Sequence, residues 1–119
     1  MANARKLDGI HFMLPTPFDS NGDLDCDSFS RLVGAARSAG CTGVVTLGVM
    51  GEAHRLTEDE RNAVINHVSK RVDGRIPITV GVSGESIEIV TKRIKESKTF
   101  GANYLLCSPP KMLKTNEKV

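Results

Sequence analysis

Apolar side chains follow two alternating spacings along this chain, and together they predict regularly alternating strands and helices. Four short apolar or β-branched runs are typical of buried strands, at residues 10–14, 43–48, 76–80 and 103–107. Between these runs the apolar positions recur every three or four residues, which predicts helices at 25–39, from 57 to a stop at 74, and at 86–100. Residues 115–119 have the composition of a further helix start.

The strand runs are continuously apolar, which is typical of a parallel sheet covered on both faces. Their starts lie about 33, 33 and 27 residues apart, and a predicted helix bridges each pair, so the unit is βαβ. Eight such units make a (β/α)8 TIM barrel of ~250 residues. The chain supplies three and a half to four units. We therefore expect an α/β fold in which residues 1–119 are the N-terminal part of one barrel domain, with the C-terminal half absent. A four-stranded doubly wound sheet would normally finish its last helix.

Composition excludes several classes of function. The 119 residues carry 16 Lys and Arg against 14 Asp and Glu, a net charge of +2 that favours neither nucleic acid nor a membrane surface as partner. No apolar run approaches the ~18 residues of a membrane span, and the polar start does not resemble a secretory signal. A cytoplasmic protein is expected. The three cysteines lack CxxC spacing, which predicts neither disulfides nor structural zinc; Cys41 and Cys107 are expected to be buried.

A glycine-containing pattern follows two of the predicted strands. Residues 46–52 and 79–85 share the sequence Thr-x-Gly-Val-x-Gly-Glu. In parallel α/β folds the carboxyl ends of strands carry the functional site. Closely spaced glycines there permit a tight turn whose backbone N–H groups converge on an anion. They also occur where a turn has no ligand, and both interpretations stay open. Neither copy matches a P-loop, a GxGxxG fingerprint or a nucleophile elbow.

The titratable residues give no separate catalytic signal. His11, His54 and His67 share no metal-ligand spacing, so no metal site is predicted. His67 lies on an apolar helix side and is expected in the core, whereas His54 is expected on a solvated loop. The acidic start of the second helix, with Arg61 beside it, is interpreted as a complement to the helix dipole. Lys92, Arg93, Lys95 and Lys98 are interpreted as a solvated helix face.

The order and spacing of several short motifs resemble the dihydrodipicolinate synthase / N-acetylneuraminate lyase family. The resemblance covers nearly the whole chain from Gly9 onward. It is carried by Thr16-Pro17-Phe18, Gly22 with Asp25, Gly48-x-x-Gly51-Glu52, Leu56-Thr57-x-x-Glu60-Arg61, Gly74-Arg75-Ile76-Pro77, Gly81, and Gly101-Ala102-Asn103 with Pro110.

This resemblance implies a class I aldolase type of chemistry, usually in a homotetramer and without a cofactor. A lysine on the sixth strand forms a Schiff base with the ketone of pyruvate or another 2-keto acid. That lysine is expected beyond Val119, so no catalytic residue is assigned within this chain. The resemblance places the keto-acid carboxylate on the backbone N–H groups of Val49 and Met50. Substrate-binding residues are therefore expected at Gly48, Val49, Met50 and Gly51, with Met13 lining the pocket.

The sequence also departs from the family pattern. The two central loop positions usually carry hydroxyl groups, whereas Val49 and Met50 cannot relay a proton. Pro110 is followed by Lys111 and Met112 instead of two tyrosines. The expected parent is a lyase or synthase acting on pyruvate plus an aldehyde, or on a 2-keto acid, and the chain alone is expected to be inactive. The alternatives are a non-catalytic α/β anion-binding module and a truncated remnant.

Overall fold

The computed structural model describes residues 6–110, in which strands and helices alternate along the chain. The turn after β2 contains a short 3-10 helix at Ala53–Arg55. The predicted helix start at 115–119 lies outside the described residues. In chain order, the elements are β1 (His11–Met13), α1 (Cys26–Ser38), β2 (Gly43–Thr46), α2 (Glu58–Val72), β3 (Ile78–Gly81), α3 (Ile87–Thr99) and β4 (Tyr104–Leu106).

The four strands form one parallel sheet in the order β1-β2-β3-β4. Each strand lies beside its neighbour in sequence, as expected for successive right-handed βαβ units. All four strands are shorter than the apolar runs that predict them. β2 ends at Thr46 because Leu47 adopts a left-handed conformation, with φ of 58°. β3 begins after Pro77, whose nitrogen carries no hydrogen, although its carbonyl accepts a bond from Val44 N (3.1 Å).

The helix starts agree with the signals in the sequence. The Asp25 carboxylate caps α1 by accepting a bond from Ser28 N (3.0 Å). At α2, Thr57 and Glu60 form both bonds of a capping box. Ser86 caps α3. These caps place each helix directly after the loop that leaves the preceding strand.

The hydrophobic core lies between the helices and one face of the sheet. It is rich in branched aliphatic side chains, which fit the pleated sheet surface. The described core residues are Leu14, Phe29, Val33, Ala36, Val44, Leu47, Val64, Ile65, Val68, Val72, Ile78, Val80, Val82 and Ala102. His67 is half-buried and contacts the Phe29 ring, with centroids 6.0 Å apart. The ring therefore contacts the core from the apolar side of α2, but it is not fully buried as a core histidine would be.

The sheet has an open edge at β1 and another at β4 within the described residues. Apolar side chains remain exposed there, with Phe12 at 37% and Leu105 at 40%. Cys107 follows β4 and is exposed, so the prediction that it is buried is wrong: no described strand covers that edge. Cys41 is partly buried against the core. None of the described helices is long and apolar enough to cross a membrane.

Candidate functional site

The carboxyl ends of the parallel strands meet on one side of the sheet, where a cavity of about 550 Å³ opens beside β2, β3 and β4. Gly48 and Val49 line it from β2, Gly81 and Ser83 from β3, and Leu106 from β4. Loops at this end of parallel α/β sheets commonly form the functional site.

The turn after β2, residues 48–51, is closed by its own backbone. Gly51 N donates to Gly48 O (3.1 Å), and Glu52 N donates to Val49 O (3.0 Å). Two left-handed residues flank the turn, Leu47 with φ of 58° and Glu52 with φ of 50°. A non-glycine residue in this conformation costs roughly 1–2 kcal/mol. The turn therefore keeps a strained backbone, which only its surroundings can maintain.

The two central residues of the turn leave their backbone donors available. Among residues 6–110, the N–H groups of Val49 and Met50 form no hydrogen bond, whereas those of Gly51 and Glu52 are used inside the turn. The side chains of Val49 and Met50 are 87% and 57% exposed. Adjacent unpaired N–H groups are the donors that an anion such as a carboxylate requires.

Neighbouring strands support this turn from both sides. The Thr16 hydroxyl, which follows β1, donates to Gly51 O (2.6 Å). On the other side, a Cβ at Gly81 would overlap the carbonyl oxygen of Leu47, so only glycine lets β3 approach this closely. Met13 packs over Gly48, where an added Cβ would lie 3.1 Å from the Met13 Sδ.

The sequence-predicted site residues thus gather around the 48–51 turn. Gly48 and Val49 line the cavity, and Met50 is exposed beside them. Gly51 is buried beneath Thr16 and does not line the cavity. Met13 lies against the other side of the turn and is also absent from the cavity lining.

Sequence reasoning missed Arg61, which lines the cavity and is only 2% exposed. Its guanidinium donates to Gly81 O (2.7 Å) and lies 3.8 Å from the Glu58 carboxylate. Burial, with a smaller effect of nearby Arg93, lowers the pKa of Arg61 to about 10, so it remains a cation at neutral pH. Its position in the apolar stripe of α2, one turn before Val64, was the signal that could have revealed it.

Arg93 is also not on a solvated helix face, so that prediction is wrong for this residue. It is 17% exposed and forms an ion pair with Glu58 (2.5 Å) that joins α3 to α2. Its guanidinium also donates to the Ser83 carbonyl. The hydrogen bond from Arg93 lowers the pKa of the Glu58 carboxyl. The expectation holds for Lys92, whose ion pair with Glu96 (3.9 Å) is on the surface.

The remaining candidates supply no metal site among residues 6–110, where no three His, Cys, Asp or Glu side chains are grouped to hold an ion. His54 is exposed at the cavity, as expected for a loop residue. His11 lies beside Gly43 with its Nε2 3.0 Å from Asp8 O, and its buried Nδ1 has no partner among the described residues.

Comparison with known proteins gives one consistent result. The sequence model of the dihydrodipicolinate synthetase family matches residues 6–118. The 4-hydroxy-tetrahydrodipicolinate synthase of Thermotoga petrophila is 36% identical over 102 residues, which are 86% of this chain and 34% of that protein. The enzyme of the same name from Salinibacter ruber is 34% identical over 92% of this chain and 36% of its own. The chain thus spans about a third of these relatives.

Solved structures agree on the fold. The crystal structure of dihydrodipicolinate synthase from Thermotoga maritima aligns with a TM-score of 0.85 and 35% identity, over 92% of this chain and 37% of that one. The Rhodopseudomonas palustris enzyme aligns with a TM-score of 0.86 and 34% identity, over 92% of this chain and 36% of that one. The four parallel strands correspond to part of a (β/α)8 barrel, which confirms the predicted fold class.

Proposed function

The chain belongs to the dihydrodipicolinate synthetase family, and from this premise we propose that it is the N-terminal part of a Schiff-base-forming lyase or synthase. Residues 1–119 belong to one barrel domain whose other strands lie outside this chain. Its substrate is pyruvate, together with an aldehyde, or a related 2-keto acid. The parent is a cytoplasmic homotetramer that needs no cofactor.

One observation carries the assignment of the substrate class. The 48–51 turn presents the N–H groups of Val49 and Met50 without a partner among the described residues, at the carboxyl end of β2. A 2-keto acid carries a carboxylate next to its ketone, and these donors suit the carboxylate. Because backbone donors do not depend on side-chain identity, this contact is retained although positions 49 and 50 are apolar.

The chemistry of the parent requires a lysine amine that this chain does not supply. The amine attacks the ketone carbon, a C–N bond forms, and the ketone oxygen leaves as water. In the cleavage direction, the resulting iminium accepts the electron pair of the carbon–carbon bond that breaks. In the synthetic direction, it accepts the pair of a carbon–hydrogen bond as a base removes the proton, and the enamine then attacks the aldehyde carbon. The 48–51 turn contributes by fixing the carboxylate, which orients the ketone toward that amine.

The side chains of the turn restrict which reaction follows. Val49 and Met50 have no group that donates or accepts a proton, so proton transfer must come from another part of the site. This favours a lyase or aldolase acting on a 2-keto acid over a reaction that needs a hydroxyl relay at these positions.

Borohydride trapping tests the proposal. The 119-residue chain is treated with pyruvate and sodium borohydride, alone and mixed with the part of the Thermotoga petrophila synthase that this chain does not match. Intact mass and peptide mapping should show a reduced pyruvate imine only in the mixture, on a lysine of the added part. Mixtures without pyruvate are the control.

Two outcomes would contradict the proposal. An imine on a lysine of the 119-residue chain alone would show that the nucleophile lies within it. A mixture that co-purifies as one folded species but traps no pyruvate would exclude the lyase function.

The non-catalytic module is the second candidate, and oligomeric state separates it from the first. A stand-alone module should sediment as a monomer and unfold cooperatively. The exposed apolar side chains at both sheet edges, including Phe12 and Leu105, favour association instead.

A further inference from the structure

Thr16 makes the contact that joins the loop after β1 to the 48–51 turn. It lies 35 residues from Gly51 in the sequence, and its hydroxyl donates to the Gly51 carbonyl at 2.6 Å. Thr16 is half-buried and does not line the cavity. Its hydroxyl bonds to the backbone of the turn next to Val49 and Met50, the two residues with available donors.

The accepting carbonyl belongs to the peptide that links Gly51 to Glu52. The N–H of that same peptide, on Glu52, donates to Val49 O (3.0 Å), and Glu52 is in the left-handed region with φ of 50°. The Thr16 bond therefore fixes the orientation of this peptide at the strained end of the turn. A different orientation of the peptide would break the Glu52 bond and change the direction of the turn.

We propose that Thr16 is a positioning residue, which holds the 48–51 turn so that the N–H groups of Val49 and Met50 point together at a carboxylate. The inference rests on the proposed function for the identity of the ligand. Thr16 itself does not touch the substrate. Its removal should weaken carboxylate binding because the two donors lose their fixed relative orientation.

The chain offers a matched control in Thr42. Its hydroxyl also donates to a backbone carbonyl far away in sequence, that of Asp8 (2.7 Å), but at the opposite end of the sheet. Thr16→Val and Thr42→Val each remove one hydroxyl and keep the side-chain shape. Thr16→Ser keeps the hydroxyl and should restore the function of the turn.

The test uses the full 119-residue chain labelled with nitrogen-15 and titrated with sodium pyruvate. In the unsubstituted chain, the amide signals of Val49 and Met50 should shift with pyruvate. Thr16→Val should raise the dissociation constant about tenfold, the effect of losing one partly buried hydrogen bond. Thr16→Ser and Thr42→Val should remain within about twofold of the unsubstituted chain.

Amide hydrogen exchange gives a second readout that needs no ligand. In Thr16→Val, the Glu52 amide should exchange faster, while amides of β3 should keep their protection. Equal dissociation constants and equal Glu52 exchange in Thr16→Val and Thr42→Val would overturn the role of Thr16. A different result is possible, in which pyruvate shifts no amide signal of the unsubstituted chain but the Glu52 amide exchanges faster in Thr16→Val alone. That result would overturn the carboxylate-binding site, while it would support the role of Thr16 in positioning the turn.

Discussion

The turns that follow β2 and β3 have nearly the same sequence and different structures. After β2, the chain folds back at once, and Gly51 N and Glu52 N bond within the turn. After β3, the chain stays extended for one more residue, because Val82 N donates to Leu106 O on β4 (2.9 Å). Both segments contain Thr-x-Gly-Val-x-Gly-Glu, so local sequence does not explain the difference.

Contacts with neighbouring elements explain why the two loops differ in structure. The β2 turn is held by the Thr16 hydroxyl from one side and by the close approach of Gly81 from the other. The β3 loop is held by arginines, with Arg61 bonded to Gly81 O and Arg93 bonded to Ser83 O. The Val49 N–H of the first copy is thus available, whereas the equivalent Val82 N–H is bonded to β4 and two carbonyls of the second copy anchor arginines of the helices.

The largest expected effect on stability comes from replacing a glycine by alanine at equivalent positions of the two motif copies, Gly81 and Gly48. Gly81→Ala places a Cβ onto the Leu47 carbonyl, which is backbone and cannot move away cheaply. We expect the free energy of unfolding to fall by about 3 kcal/mol or more. In Gly48→Ala the three atoms nearest the new Cβ belong to the flexible Met13 side chain, so the substitution should cost about 1 kcal/mol. Urea unfolding measures both, and equal losses would show that the close approach of β3 to β2 is unimportant.

The next effect concerns Arg61. Arg61→Met keeps the apolar packing but leaves Gly81 O without this donor, so we expect the free energy of unfolding to fall by about 2 kcal/mol. Lys92→Met removes only a surface ion pair and should stay within about 0.5 kcal/mol. Denaturant unfolding compares the two. An Arg61→Met chain as stable as the Lys92→Met chain would show that the buried guanidinium does not support the β3 loop.

A smaller effect, which raises stability instead of lowering it, is expected at the last residue of one motif copy, Glu52, but not at Glu85 of the other. Glu52 has a φ of 50°, whereas Glu85 has no positive φ. Glu52→Gly relieves a left-handed conformation and should raise the free energy of unfolding by about 1 kcal/mol. Glu85→Gly relieves no strain and should leave stability unchanged or slightly lower. Thermal unfolding checks the pair, and destabilisation by both substitutions would contradict the strain assigned to Glu52.

The smallest effect is a pH dependence on the β3 side. The Arg93 hydrogen bond lowers the pKa of Glu58 below its ordinary 4.5, so the ionised carboxylate stabilises the folded state. This stability is fully present above the ordinary value and is lost as the pH falls through the lowered pKa. Since Glu58 is 40% exposed, Glu58→Gln should cost less than about 1 kcal/mol at pH 7. The difference should vanish in acid; a constant difference from pH 7 to pH 3 would exclude this origin.

Local signals predicted the elements better than they predicted the contacts between them. The Thr57–Glu60 capping box and the strand runs placed the helices and strands within a few residues, because each depends on neighbours close in sequence. Arg61 was given no role and Arg93 was misjudged as part of a solvated face, because their partners lie 20 and 35 residues away. Cys107 was predicted to be buried from its apolar neighbours, but burial depends on what covers the edge of β4.

The sequence by itself determined the βαβ order, the parallel sheet, the family resemblance and the position of the 48–51 turn after β2. Periodicity, capping and glycine placement are local properties, and they are readable in the order of residues. Only the tertiary structure decided that one copy of the repeated motif would hold Val49 and Met50 with available N–H groups and that the other would anchor Arg93. The physical reason is that a backbone group is free or used according to what the fold brings beside it, such as Thr16 against Gly51.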